Sequence, residues 1–96
     1  MSDIRREIDR LDEEMVAVLA RRQTYIEQAA RLKADRSAVR DETRIRDVLS
    51  KVARSASERG LDPAIAESVW RVLIERSIAH EFRAFDKKVS PPDSPG

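Results

Sequence analysis

The first 59 residues of this 96-residue chain contain neither glycine nor proline. Gly60 and Pro63 are the first such residues, and all the others lie beyond residue 90. Turn-rich sheet proteins need Gly, Pro and Asn at their corners, and this chain has no Asn at all. The two glycines are also too far apart to form a phosphate-binding loop. We therefore expect an all-α fold.

The composition excludes several classes of function. With no Cys and one His, a disulfide framework is impossible and a zinc site is not expected. The 19 basic and 18 acidic residues leave a net charge of +1, which gives no reason to expect nucleic acid or an anionic membrane as a partner. No apolar run approaches the roughly 18 residues that span a bilayer, and no secretory signal precedes Asp3. We expect a single cytoplasmic domain without metal or cofactor.

Three helices are predicted from the apolar residues, which recur at steps of three and four. The predicted helices cover residues 3–36, 41–59 and 63–87, with the third fading at Asp86 or Lys87. Because the 35–40 connection contains no Gly or Pro, its boundaries are the least defined by sequence. Residues 1–88 are expected to form the helical domain, and the Pro/Ser tail, 89–96, is expected to be disordered.

Residues that begin or end helices stand at the predicted boundaries. The expected N-caps are Ser2 or Asp3, then Asp41, then Asp62, which precedes a proline suited to the first helical position. Gly60 is expected to end the second helix in the left-handed conformation.

The first helix is too long for a compact monomer. Thirty-three helical residues extend about 50 Å, whereas a compact chain of this length is only about 32 Å across. Its apolar stripe follows two heptad columns along the whole helix: Ile4, Leu11, Val18, Tyr25 and Leu32, and Ile8, Met15, Arg22 and Ala29. We therefore expect a homodimer in which the long helices pack on each other.

Arg22 and Lys33 are two cations on one face of the first helix. They are eleven residues apart, which places them within about 20° of each other and about 16 Å apart. Ile26 and Ala29 lie between them, so the pair suits a small dianion with a hydrophobic body. Alternatively, both side chains extend to water from the edge of the seam. A buried Arg22 requires an anionic partner or water, because an unpaired buried charge costs several kcal/mol.

Arg5 cannot reach the same ligand from one straight helix. It lies about 25 Å from Arg22 along the helix and about 100° around it. In an antiparallel dimer, the start of one long helix lies beside the middle of the other. Arg5 would then serve the site of the partner subunit.

Four further polar residues are candidates for a site. Asp41 and Arg44 lie one turn apart, and the simpler interpretation is a cap with a local ion pair. Ser77 and Glu81 share a face of the third helix, and the simpler interpretation of Glu81 is a solvated charge. Its apolar neighbours weaken that interpretation. His80, beside this face, is interpreted as an ordinary surface residue.

These residues form an ordered set along the chain. Its elements are Ile4-Arg5-x-x-Ile8-Asp9-x-Leu11-Asp12, Leu19-Ala20-x-Arg22, Lys33, Val39-Arg40-Asp41, Arg44, Gly60-Leu61-Asp62 and Ser77. Over residues 3–86 the set resembles the all-helical chorismate mutases. The resemblance implies a three-helix protomer in an intertwined homodimer, with two active sites inside the helical bundles.

The resemblance also implies an activity: the pericyclic rearrangement of chorismate to prephenate, in aromatic amino-acid biosynthesis. This reaction needs no nucleophile, metal or cofactor; the enzyme holds the substrate in a chair-like geometry and stabilises charge on the breaking ether oxygen. The implied substrate-binding residues are Arg5 of the partner subunit and Arg22, Lys33, Asp41, Arg44, Ser77 and Glu81 of one chain. Asp41 would lie near the substrate hydroxyl, and the implied catalytic residues are Lys33, Glu81 and Arg22.

Two positions depart from the family pattern. Glu81 stands where well-known bacterial members have a Gln that donates to the ether oxygen, so we expect burial among Ile74, Ile78 and Phe85 to keep it protonated. Ile45 stands where several members have a Glu that binds the ring hydroxyl.

The second departure leaves alternatives open. An aliphatic residue at position 45 cannot bind the ring hydroxyl. In this respect the chain resembles the isochorismate-pyruvate lyases, which share the fold and produce salicylate. Arg40-Asp41 favours the mutase. A non-catalytic helical dimerisation module is a third interpretation, and Arg22 on the apolar seam is the feature against it.

Overall fold

The protein is described by a computed structural model that covers residues 1–89, with side chains to residue 88. The described chain consists of helices and their connections: α1 (Ser2–Leu32), a 3₁₀ turn (Arg36–Ala38), α2 (Glu42–Arg59) and α3 (Pro63–Val89). The all-α prediction is confirmed. The third helix continues to Val89, which the sequence analysis had assigned to the tail, and the rest of that predicted tail lies outside the described residues.

Both ends of α1 differ from the prediction. Ser2 lies inside the helix and Met1 is the N-cap, with no side-chain cap bond, so the expected caps Ser2 and Asp3 were wrong. At the other end the helix stops at Leu32, four residues before the predicted 36, and Lys33 is extended with φ −76° and ψ 135°. Asp35 explains the early stop, because its carboxylate accepts a hydrogen bond from the Ser37 amide at 3.0 Å and starts the 3₁₀ turn instead.

The predicted limits of α2 and the predicted start of α3 are confirmed, whereas α3 ends at Val89 rather than at residue 86 or 87. Asp41 caps α2 by accepting a hydrogen bond from the Arg44 amide at 3.1 Å. Gly60 ends α2 in the left-handed region, with φ 73°, and the next amide bonds back to the carbonyl of Ala56 at 2.9 Å. Asp62 accepts a hydrogen bond from the amide of the second residue of α3 at 2.9 Å. These caps are local, so the sequence specifies them.

The core of the protomer lies at one end, around the connection between α1 and α2. α3 packs against both of the other helices. Ala30 of α1 is fully buried, and it forms a cluster with Val39 and Phe85. A small residue at position 30 allows α1 and α3 to approach closely at this point.

The other end of the protomer is an uncovered helix. The molecule measures 56 × 33 × 16 Å with a radius of gyration of 17.0 Å, compared with about 12–13 Å for a compact chain of this length. Large apolar side chains along the first part of α1 are between 38% and 66% exposed: Ile4, Ile8, Leu11, Met15, Val16, Val18 and Leu19. An apolar stripe of this extent is typical of an interaction surface. The homodimer stays a prediction.

Charged residues recur along all three helices. Within residues 1–89, no helix combines the length and the apolar character that crossing a membrane requires. The same part of the chain holds no group of three or more His, Cys, Asp or Glu side chains placed to bind a metal ion.

Candidate functional site

A cavity of about 550 Å³ opens between the second part of α1, the start of α2 and the middle of α3. Six of the seven residues predicted for the site lie on its wall: Arg22, Lys33, Asp41, Arg44, Ser77 and Glu81. Most of the remaining wall is aliphatic, with Ile26 and Ala29 between the two α1 cations and Ile74 opposite on α3. The cavity is therefore cationic at several points and apolar between them.

The seventh predicted residue, Arg5, does not lie on this wall. It is exposed in the second turn of α1, at a distance along the helix of about 25 Å from Arg22. The geometry of one chain thus separates Arg5 from the other six, as the helical spacing predicted. Its contribution to the cavity of a partner subunit stays a prediction.

Arg22 points its guanidinium at a neutral partner. Its Nη1 donates a hydrogen bond to Oγ of Ser77 at 2.7 Å. Burial, together with the nearby charge of Arg44, lowers the pKa of Arg22 below its usual value. None of the ion pairs formed within residues 1–88 involves Arg22, which was expected to need an anionic partner or water and is paired here with a hydroxyl. An anionic ligand in the cavity would supply the missing charge.

Lys33 and Glu81 form an ion pair across the cavity wall, through Nζ and Oε2. Glu81 is only 5% exposed, so its interpretation as a solvated charge was wrong. The prediction of a protonated Glu81 rests on burial among apolar neighbours, whereas in the structure the side chain also has a cationic partner in Lys33. The charge state of Glu81 in the active protein stays a prediction.

Asp41 and Arg44 are not an ion pair. Asp41 uses Oδ1 to cap α2, while Nη1 of Arg44 donates to Asp47 at 2.7 Å, one turn further along the helix. The local ion pair predicted for Asp41 and Arg44 was wrong, because Asp41 binds the Arg44 amide as the cap while the guanidinium binds Asp47 inside the helix. Arg44 is mostly exposed, so its guanidinium lies at the mouth of the cavity.

Two arginines outside the predicted set of site residues hold the 33–41 connection against α3. Arg36 Nε donates to Asp86 at 2.9 Å, and its guanidinium lies 4.3 Å from the ring centre of Phe82. Arg40 binds both carboxylate oxygens of Glu75 at 3.0 Å. These carboxylates raise the pKa of each arginine. Local sequence patterns do not predict these contacts, since the partners lie 35 and 50 residues away in sequence.

His80 is not the ordinary surface residue that the sequence analysis described. Its ring is half-buried, and Nε2 lies 2.6 Å from Oε2 of Glu27 on α1. The hydrogen bond to His80 lowers the pKa of Glu27. The pair lies on the wall of a second cavity between α1 and α3.

Comparison with known proteins identifies the family of the chain. Residues 4–82 match the family model described as chorismate mutase type II. An isochorismate pyruvate lyase from Pseudomonas aeruginosa is 36% identical to the chain over 83 residues, which cover 86% of this chain and 82% of that relative. The matched range spans the positions of all seven residues predicted for the site. The chain therefore belongs to the chorismate mutase type II family.

Proposed function

We propose that the protein is a chorismate mutase, which rearranges chorismate to prephenate in aromatic amino-acid biosynthesis. One observation carries the proposal: three cations, Arg22, Lys33 and Arg44, lie on the wall of one cavity whose other surfaces are mostly aliphatic. Chorismate is a small dicarboxylate with a hydrophobic ring. Its shape and charge match this arrangement.

The residues suit a reaction that needs positioning and charge stabilisation. Arginine binds carboxylates through two parallel hydrogen bonds, so Arg22 and Arg44 would fix the two carboxylates of the substrate. Arg5 of the partner subunit would complete this set in a homodimer. Substrate held with its enolpyruvyl side chain over the ring reacts without a nucleophile, because the entropy of reaching that geometry is lost on binding.

Lys33 and Glu81 would act on the breaking ether oxygen. The hydrogen bond to Glu81 holds the Lys33 ammonium at the cavity wall, and an ammonium has three hydrogens to donate. One of these would stabilise the negative charge that develops on the oxygen in the transition state. A protonated Glu81 would donate a second hydrogen bond, whereas an ionised Glu81 beside that oxygen would repel it.

The second candidate function is isochorismate-pyruvate lyase, which removes pyruvate from isochorismate and leaves salicylate. The lyase relative and the aliphatic Ile45 on the cavity wall favour it. Asp41 favours the mutase: Oδ1 caps α2, and the remaining carboxylate oxygen on the cavity wall can accept a hydrogen bond from the ring hydroxyl of chorismate.

One pair of assays separates these activities. The purified protein is mixed with chorismate, whose absorbance decreases as prephenate forms, and separately with isochorismate, whose elimination product fluoresces as salicylate. We expect rapid loss of chorismate and little salicylate. Salicylate from isochorismate with slow loss of chorismate would favour the lyase, and no reaction with either would favour the dimerisation module. A Lys33→Ala preparation made in parallel measures contaminating host enzyme.

A further inference from the structure

Lys88, near the end of α3, binds the last turn of α1. Its Nζ donates hydrogen bonds to the main-chain carbonyls of Ala30 at 3.1 Å, Arg31 at 2.9 Å and Lys33 at 2.6 Å. These three contacts use every hydrogen that an ammonium can donate. Although the residue as a whole is exposed, the charged end of its side chain is therefore fully engaged with α1.

The end of α1 needs such a partner. The last four carbonyls of a helix have no partner within it, and they carry the negative end of the helix dipole. Glycine often closes a helix by turning left-handed, but the C-cap here is Lys33 in an extended conformation. Ala30, one of the residues whose carbonyl is affected, is fully buried. A cation from α3 supplies hydrogen bonds to this helix end in place of a glycine cap.

The position of the Lys88 ammonium is itself well defined. It lies 4.7 Å from the ring centre of Phe85, one turn earlier on α3. Phe85 is 4% exposed and belongs to the small core. The contact between the cation and the ring anchors Lys88 to the most closely packed part of the protomer.

Lys33 is thus held at two points by one face of α3. Glu81 and Lys88 are seven residues apart, so they lie within about 20° of each other around the helix. Glu81 binds the ammonium of Lys33, and Lys88 binds its main-chain carbonyl. Because this helix face binds both the main-chain carbonyl and the ammonium of Lys33, it fixes the position of the side chain between them.

We propose that Lys88 is a positioning residue for Lys33, fixing the end of α1 and thereby the place of the Lys33 ammonium in the cavity. The proposal rests on the function proposed above. Lys88 does not line the catalytic cavity, so it acts on substrate only through Lys33. Loss of its hydrogen bonds should therefore impair the chemical step more than it impairs binding by Arg22 and Arg44.

Three variants test this role. Lys88→Met removes the ammonium but keeps the length and apolar stem, and we expect kcat to fall about tenfold, the size of effect that slight misplacement of a catalytic group produces. The KM for chorismate should stay within about twofold, since the carboxylate-binding arginines are unchanged. Lys88→Arg keeps a cation with several donors and should recover most of the rate. Lys87→Met removes the same charge one position earlier and should behave as the unaltered protein.

Hydrogen exchange gives a readout that does not depend on turnover. In Lys88→Met, the amides of residues 32–38 should exchange faster, while those of α2 keep their protection. A wild-type kcat in Lys88→Met would overturn the proposal. So would equal losses in Lys87→Met, or faster exchange throughout the chain, since these indicate a general effect of charge or stability. If the unaltered protein converts neither substrate, the proposed function fails, and the exchange rates alone decide whether Lys88 holds the end of α1.

Discussion

Residues 2–19 and 20–32 of α1 follow one helical period but have different surroundings. In the second part, Ala30 is fully buried. Arg22, Ile26 and Ala29 are partly buried and line the cavity that α1 forms with α2 and α3. In the first part no residue is buried. The second part thus has its packing partners within the chain, and the first part presents its apolar stripe to the outside.

The interactions of the first part are local and weak. Arg10 pairs with Glu7 at 2.7 Å and with Glu14 at 3.0 Å, and all three side chains are mostly exposed. Such pairs contribute only about 0.3–0.5 kcal/mol each. The same apolar period therefore contributes to an intrachain core in the second part of α1. In the first part it forms a surface that a second copy would cover.

The largest effect is expected from Lys33→Ala, in the second part of α1. Losing a preorganised donor to the ether oxygen should lower kcat by about 10²–10³-fold, while light scattering reports an unchanged oligomer. Arg10→Ala, which removes a cation from the first part, should leave kcat within about twofold. A near-normal rate in Lys33→Ala would remove this residue from the mechanism.

A mixing experiment tests whether the two parts of α1 meet across a dimer. Arg5→Ala and Arg22→Ala should each abolish most of the activity. When the two variants are unfolded together and refolded, half of the dimers are mixed, and each mixed dimer has one intact site. Activity should therefore recover to about a quarter of the unaltered level. If Arg5 acted within its own chain, no mixed dimer would contain an intact site and the mixture would stay inactive.

Leu11→Glu tests the exposed stripe directly. A charge at this 49% exposed position would have to be buried against a second copy, so the variant should dissociate and lose activity at micromolar concentration. Arg10→Ala changes the net charge by the same amount, one residue away on the outer face, and should remain a dimer. Light scattering measures the oligomeric state of both variants, and a monomeric unaltered protein would contradict the predicted homodimer.

The smallest effect is expected from Glu81→Gln, beside Lys33. If Glu81 acts as a protonated donor, activity of the unaltered protein declines as the pH rises and the proton is lost. The amide donates at every pH, so the variant should keep its activity and extend it to higher pH. Rate measurements across a pH series of both proteins test this, and an inactive variant at every pH would contradict the proposed role.

The chain alone determined the features that depend on neighbouring residues. Apolar spacing predicted three helices, and Asp41, Gly60 and Asp62 end or begin them as expected, because caps act within one turn. Helical geometry also predicted that Arg22 and Lys33 share a face and that Arg5 lies away from them. The resemblance to the family supplied the roles of the remaining site residues.

Only the tertiary structure decided which distant side chains meet. Lys88, which binds the end of α1, lies 55 residues beyond Lys33 in sequence, so no local pattern predicts that contact. Glu81 likewise has Lys33 as its partner from 48 residues away, so burial and pairing act on it together. Local patterns describe what one helix prefers, whereas such contacts exist only after α3 has packed against α1, and no spacing along the chain specifies them.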